Sequence, residues 1–246
     1  MDFISFFAGI GGFDLGLERA GHTCVGQCEI DPFALRVLAK HWPNVPRFGD
    51  IMELRPDEIP DAELWCGGFP CQDVSSAGKQ AGIRGERSGL FFNFMRLAAK
   101  VRPRFLLLEN VEALLIRGMG EVLGTLAKCG YDAEWDVLRA SRFGAAHRRK
   151  RVFIIAYAKS VRLPGRVFSC ALPEQLPRVG DTPYRFTVTE PIGIGTNHGI
   201  PDYVDRVTAL GNAIVPVVAE YLGELLAGVE SSCQLPVANC QRSCND

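Results

Sequence analysis

The chain opens on a short apolar run, Asp2 to Phe7, then a turn, Ala8-Gly-Ile-Gly-Gly12, then a stretch from Phe13 to Ala20 whose apolar residues recur at helical spacing and stop at Gly21. Thr23 to Cys28 has the length and character of a second strand, and Asp31 is placed to cap a helix reaching about His41. The pattern continues with a strand around Glu63 to Cys66, a helix from about Ser88 to Val101, the apolar strand Phe105 to Leu108, and helical sequence from Glu112 to Lys128. Strands alternating with helices predict an α/β fold with a mostly parallel sheet covered on both faces. Tyr131 to Leu138 and Arg151 to Ala156 read as two strands with no helix between them, which predicts an antiparallel hairpin closing the sheet's edge. From Ala158 to Pro201 the periodicity gives way to Pro, Gly and Arg, a small irregular lobe, and it returns as an amphipathic helix from Ala213 to Leu226. The stretch after Val229 is polar and Cys-bearing and reads as a disordered tail.

Composition narrows this picture without overturning it. The 246 residues, 47% hydrophobic and 22% charged, suit one large α/β domain, alone or with a small second lobe. No apolar run approaches the roughly 20 residues that cross a bilayer, and Met1-Asp2-Phe3 lacks the basic flank of a signal peptide, so the expected location is cytoplasmic, away from membranes. Nine cysteines without a disulfide spacing are expected to be reduced thiols. Cys24 with Cys28, and Cys233 with Cys240 and Cys244, hint at zinc, but neither set has a partner pair, so no metal is expected. The net charge of −1 hides a basic segment between Arg139 and Arg185, whose only acids are Glu174 and Asp181. Such a segment is either a surface for a polyanion or an ordinary solvated face.

The turn after the first strand lies where open α/β sheets bind ligands, at the carboxyl ends of the strands. Gly9, Gly11 and Gly12 allow close backbone approach, although Asp14 stands where a dinucleotide motif has its third glycine, and a plain tight turn would use the same residues. Glu29, at the end of the second strand, is suited to accept hydrogen bonds from both hydroxyls of a ribose. Asp50, in Gly49-Asp-Ile51, suits the exocyclic amine of adenine. With no phosphate-binding lysine motif, the expected ligand is an adenosine bearing something other than a phosphate chain. Residues 67–78, GGFPCQDVSSAG, place Cys71 among glycines and serines, the composition of a loop shaped around a ligand rather than of a core.

Seven segments occur in order: Phe7-Ala-Gly-Ile-Gly-Gly-Phe13, Glu29, Gly49-Asp-Ile51, Pro70-Cys-Gln72, Glu109-Asn-Val111, Arg148-Arg-Lys-Arg151 and Leu210-Gly-Asn212. This set resembles the ordered motifs of the DNA cytosine-5 methyltransferases, from the amino terminus to about residue 156 and again from about 201 to 226. The resemblance implies a Rossmann-like catalytic domain using S-adenosyl-L-methionine (residues 1–157), a small target-recognition lobe (158–200), a segment completing the catalytic domain (201–228) and a tail (229–246). It implies a cofactor pocket of Phe7, Gly9, Ile10, Gly11, Gly12, Glu29, Ile30, Asp50, Ile51, Pro70, Asn212 and Ile214, although Gly-Asn at 211–212 would also suit a simple turn.

Cytosine C5 is too poor a nucleophile to accept a methyl group directly, so a thiolate must first add at C6, and Cys71 is the residue expected to do it. Addition pushes electron density toward N3. Glu109, directly behind Leu106-Leu-Leu108, is where burial would raise a carboxyl pKa and favour the protonated form, unless it merely caps a helix. Arg149 and Arg151 flank Lys150 on one face of a strand; by resemblance they hold the flipped cytosine, its O2 and the flanking backbone. The family usually has glutamine where this chain has His147.

A stacked base must be rotated out to reach Cys71, at a cost of about a few kcal/mol that phosphate contacts would offset. Gln72, Ser75, Arg148, Lys159, Arg162, Arg166 and Arg178 are the expected DNA contacts. Ser75 to Arg87 reads as a loop closing over the base, or as an ordinary surface loop. The partner implied is double-stranded DNA, bound by a monomer that works beside a restriction endonuclease. Two other classes share the scaffold: a transfer-RNA cytosine-5 methyltransferase, and a non-catalytic DNA-binding relative.

Overall fold

A computed structural model describes residues 1–70, 89–145, 147–161, 166–168 and 213–233. Its organising feature is the alternation along β1 (Asp2–Phe6): Phe3 is buried toward one face of the sheet, Ile4 and Phe6 toward the other. β1 lies between β2 (Thr23–Cys28) and β4 (Leu64–Gly68), parallel to both. β3 (Arg47–Phe48) extends the sheet beyond β2, and β5 (Phe105–Val111) extends it beyond β4, both parallel. The hairpin expected from the sequence follows: β7 (Lys150–Ala158) runs antiparallel to β5, and β6 (Tyr131–Arg139) pairs antiparallel with β7 at the edge. The sheet order is β3-β2-β1-β4-β5-β7-β6.

One face is covered by α1 (Gly12–Arg19) and α6 (Pro216–Cys233), which pack Phe13, Leu17, Val218 and Leu222 over Phe3, Leu64 and Leu107. The opposite face is covered by α3 (Leu90–Val101) and α5 (Met119–Lys128), with an aromatic cluster in which the Phe6 and Trp65 ring centroids are 4.7 Å apart. α2 (Pro32–His41) connects β2 to β3, and its start is capped as its sequence predicts, with Asp31 Oδ1 accepting from Ala34 N at 2.8 Å.

Three local differences separate sequence pattern from structure. β3 has two residues, too few to leave a periodic trace. The helical sequence from Glu112 to Lys128 is divided at Gly118, so α4 (Leu114–Arg117) and α5 are separate helices. α6 runs on to Cys233, past Val229, where the composition turns polar. The stretches at 71–88, 169–212 and 234–246, including most of the expected recognition lobe and the remainder of the tail, lie outside the described residues.

α1 and α6 approach closely because α1 presents glycine where a side chain would collide. A Cβ on Gly12 would lie 2.4 Å from the Ile214 carbonyl oxygen, and one on Gly16 would lie 2.3 Å from that of Pro216. His22 adds a polar clasp, its Nε2 donating to the Gly223 carbonyl at 3.0 Å. The two ends of the chain thereby share one core, and the carboxyl ends of β1, β2, β4 and β5 meet the amino end of β7 along one rim of the sheet.

Candidate active site

The first part of the rim is the turn between β1 and α1. Phe7 takes a left-handed backbone with φ 54°, unusual for an aromatic residue, and Gly9 and Gly11 follow at φ 55° and 84° where glycine is at ease. The space beside Gly9 is open: nothing lies within 4 Å of where its Cβ would be. Glu29 closes this turn onto the end of β2. Its Oε2 accepts from Gly9 N at 2.7 Å, and its Oε1 accepts from Ile30 N and Asp31 N, each at 2.8 Å. Those three bonds fill most of the roughly four acceptor positions of a carboxylate. About one acceptor position on the carboxylate is left over.

Around the turn, Ile30 is 62% exposed and Met52 55%, an apolar margin beside the exposed carboxylate of Asp50, whose Oδ1 braces its own loop through Met52 N at 2.9 Å. Ile51 is buried in the core below. Ile10 and Pro70 are half-buried, and Ile214 is held against Gly12 with its Cδ1 facing Gly68. Asn212 lies outside the described residues.

The second part of the rim lies at the ends of β5 and β7. β5 carries Leu107 and Glu109 on the face covered by α6, so the carboxyl of Glu109 is pressed between the sheet and Ile214. Burial pushes its pKa up to about 7, outweighing the pull of Arg151 and Arg149 toward the charged form. Arg151 Nε is 2.9 Å from Glu109 Oε1 but lies off the line of its N–H, so the contact is a close ion pair, and Oε1 has no aligned donor among the described residues. Glu109, Arg149, Arg151, Phe153 and Ile214 are among the residues lining a cavity of about 10 Å³, so the acid and both arginines share one space.

One contributor was not singled out by sequence reasoning. Asn110 is buried and its Nδ2 donates to the Phe69 carbonyl at 3.1 Å, which ties the end of β5 to the residue preceding Pro70 and Cys71. Its place directly after Glu109 at a strand end was the available signal.

Other expected residues are dispersed. Arg148 is exposed beside Arg149, with His147 exposed before it. Lys159 follows the far end of β7, a nine-residue strand, and so sits about 27 Å from Arg151 at the opposite rim. Arg166 is exposed along the β6 edge, where Glu134 accepts from Val167 N and Phe168 N at 3.1 and 3.2 Å. Cys71, Gln72, Ser75, Arg162 and Arg178 lie outside the described residues. Among the described cysteines, Cys24, Cys28 and Cys66 are buried and Cys129 half-buried, and burial raises the first three thiols, Cys28 to about 12. Such thiols are poor nucleophiles at neutral pH. No cluster of three metal-ligating side chains occurs among the described residues.

A buried acid sharing a cavity with two arginines, on the same sheet rim as a glycine turn, coincides with a match of the family model for C-5 cytosine-specific DNA methylases to residues 1–193. The chain belongs to this family. A type II methyltransferase of Bacillus subtilis (strain 168), M2.BsuMI, is 41% identical over 164 residues, covering 63% of this chain and 42% of the relative. M.NgoBI of Neisseria gonorrhoeae, another type II methyltransferase, is 38% identical over 162 residues, covering 64% and 51%. A crystal structure described as a DNA modification methyltransferase encoded within a prophage (E. coli) superposes with a TM-score of 0.60 at 27% identity, over 74% of this chain and 53% of that one. The chain thus spans about half the length of these relatives.

Proposed function

We propose that this C-5 methylase family member transfers a methyl group from S-adenosyl-L-methionine to C5 of cytosine in double-stranded DNA, through a covalent bond between Cys71 and C6. The observation that carries the proposal is Glu109, a carboxyl with its pKa lifted to about 7, so that it can hold a proton near neutrality, in a cavity it shares with Arg149 and Arg151. The names of the relatives, type II methyltransferases, support the same assignment. On this proposal the protein works in the cytoplasm, as the modifying partner of a restriction endonuclease.

The residues around the β1–α1 turn fit the proposed methyl donor. Open space beside Gly9, one acceptor position left on Glu29, an exposed Asp50 and the apolar margin of Ile30 and Met52 make a cradle for a nucleoside without a phosphate chain. When bound, S-adenosyl-L-methionine supplies an electrophilic methyl group. The protein's own part is to make cytosine receptive. Cys71 adds as thiolate to C6, and the electron pair of the C5–C6 double bond shifts through the ring toward N3, where Glu109 donates its proton. Arg149 and Arg151 hold the ring in place and favour the developing negative charge on its oxygen. As C5 takes the methyl group and the donor departs as its neutral thioether, N3 returns its proton to Glu109; loss of the C5 proton to water then expels Cys71 as thiolate from C6 and restores the C5–C6 double bond.

Incubation with labelled S-adenosyl-L-methionine and either duplex DNA or transfer RNA tests the proposal: label is expected in DNA. Label in RNA, or in neither, would refute it. Cys71→Ser is expected to abolish transfer while calorimetry still shows cofactor binding, and normal methylation by that variant would disprove the nucleophile. Glu29→Ala is expected to weaken cofactor affinity by about tenfold or more, because it removes a charge-assisted bond and releases Gly9.

A further inference from the structure

Asp14 occupies the position where a dinucleotide motif would have its third glycine, and the chemistry above gives it no task. It stands in the first turn of α1, fully buried. A buried carboxyl is costly unless donors surround it, and among the described residues none of its partners is basic. The donors come from the two strands that frame the cofactor cradle. Ser5 Oγ of β1 donates to Oδ2 at 3.0 Å, while Gln27 Nε2 and the Cys24 thiol of β2 donate to Oδ1 at 2.8 and 3.4 Å. Ser5 is in register with Gln27 on one side and with Cys66 of β4 on the other. Burial raises the Asp14 pKa against the opposing effect of these bonds.

Gln27 lies two residues before Glu29, and Asp14 two residues after Gly12. Glu29 ties the glycine turn to the end of β2 from the rim, through Gly9 N at 2.7 Å; Asp14, in the first turn of the helix that leaves that turn, ties α1 to β2 from inside the core. The turn-and-helix segment and the strand are therefore joined at two points.

We propose that Asp14 is a positioning residue for the methyl donor: through Ser5 and Gln27 it sets the spacing between the Gly9–Gly12 turn and Glu29, the gap into which the nucleoside fits. The inference rests on the proposed S-adenosyl-L-methionine site. The test is calorimetric titration of wild type, Asp14→Leu, Asp14→Asn and Gln27→Met with S-adenosyl-L-methionine, beside KM and kcat on duplex DNA. Asp14→Leu removes the acceptor and strands the donors, so its Kd for the methyl donor is expected to rise about tenfold or more, with kcat and the KM for DNA within about twofold of wild type. Asp14→Asn keeps an acceptor for Gln27 and Cys24 at Oδ1, and Ser5 can turn to accept from the new amide, so affinity should return to within about threefold. Wild-type affinity in Asp14→Leu would overturn the proposal. So would a parallel loss of kcat and DNA affinity, the mark of general loosening. Should Asp14→Leu not fold, Gln27→Met decides by the same criteria. If wild type binds no S-adenosyl-L-methionine, the cofactor assignment fails and this inference with it; if only the variants behave as wild type, the positioning role alone fails.

Discussion

Glu109 shows how a single side chain can have its chemistry set by depth. Two arginines favour its carboxylate, yet burial wins and the pKa rises from 4.5 to about 7. The proton is held below that value and lost above it, so kcat on DNA is expected to decline as pH rises beyond about 7, and a pH profile of single-turnover methylation checks this. Stability follows the same sign: with the folded-state pKa above the unfolded one, the contribution is complete below about 4.5 and lost as pH climbs through about 7. Glu109→Gln should therefore be more heat-stable than wild type at pH 8 and similar at pH 4.5, while its turnover falls about a hundredfold or more. A wild-type Tm difference of zero at pH 8 would contradict the buried, ionising carboxyl. The leucines before Glu109 made its burial legible in the sequence, and the spacing of Arg149 and Arg151 made their convergence legible. The engagement of Glu29 by Gly9, Ile30 and Asp31 was not, because it depends on how the chain curls back, and Asp14 could be recognised only as an interruption of a glycine pattern.

At the scale of elements, apolar runs and caps carried most of the information. β1, α1, β2 and the Asp31-capped α2 emerge from local pattern alone, and so does the antiparallel pair β6 and β7, since no helix separates them. What escaped was either too short or decided by a distant partner. β3 is two residues long, and Gly118 ends α4 in a stretch whose composition is helical on both sides. The packing of α1 on α6 depends on Gly12 and Gly16 being bare, and only the partner helix reveals it. Gly16→Ala would place a methyl group 2.3 Å from the Pro216 carbonyl oxygen and 2.5 Å from the Ala219 Cβ. Backbone on one side and a packed helix on the other leave little room to yield, so chemical denaturation should show a loss of about 1–3 kcal/mol. An unchanged midpoint would mean that the helices do not meet as closely as described.

For the molecule as a whole, the arrangement of strands sorts the basic residues by rim. Arg148 belongs to the rim that bears Glu109, whereas Lys159 is at the other end of β7. Net charge cannot distinguish them, since in sequence both fall within one basic segment. If duplex DNA lies on the Glu109 rim, Arg148→Ala should reduce the slope of log affinity against log salt by about 1, and Lys159→Ala should leave it unchanged. Fluorescence anisotropy over a salt series measures both, and equal effects from the two would place DNA elsewhere.

The clasp between His22 and Gly223 joins positions 201 residues apart. At ordinary translation speeds the second arrives roughly 10–40 s after the first. During that interval Phe13 and Leu17 lack the α6 side of their packing, so a growing polypeptide exposes a greasy flank that, among the described elements, α6 seals. Quality-control factors that recognise such flanks are expected to hold nascent chains arrested after Ala158 and to release those that extend through Cys233.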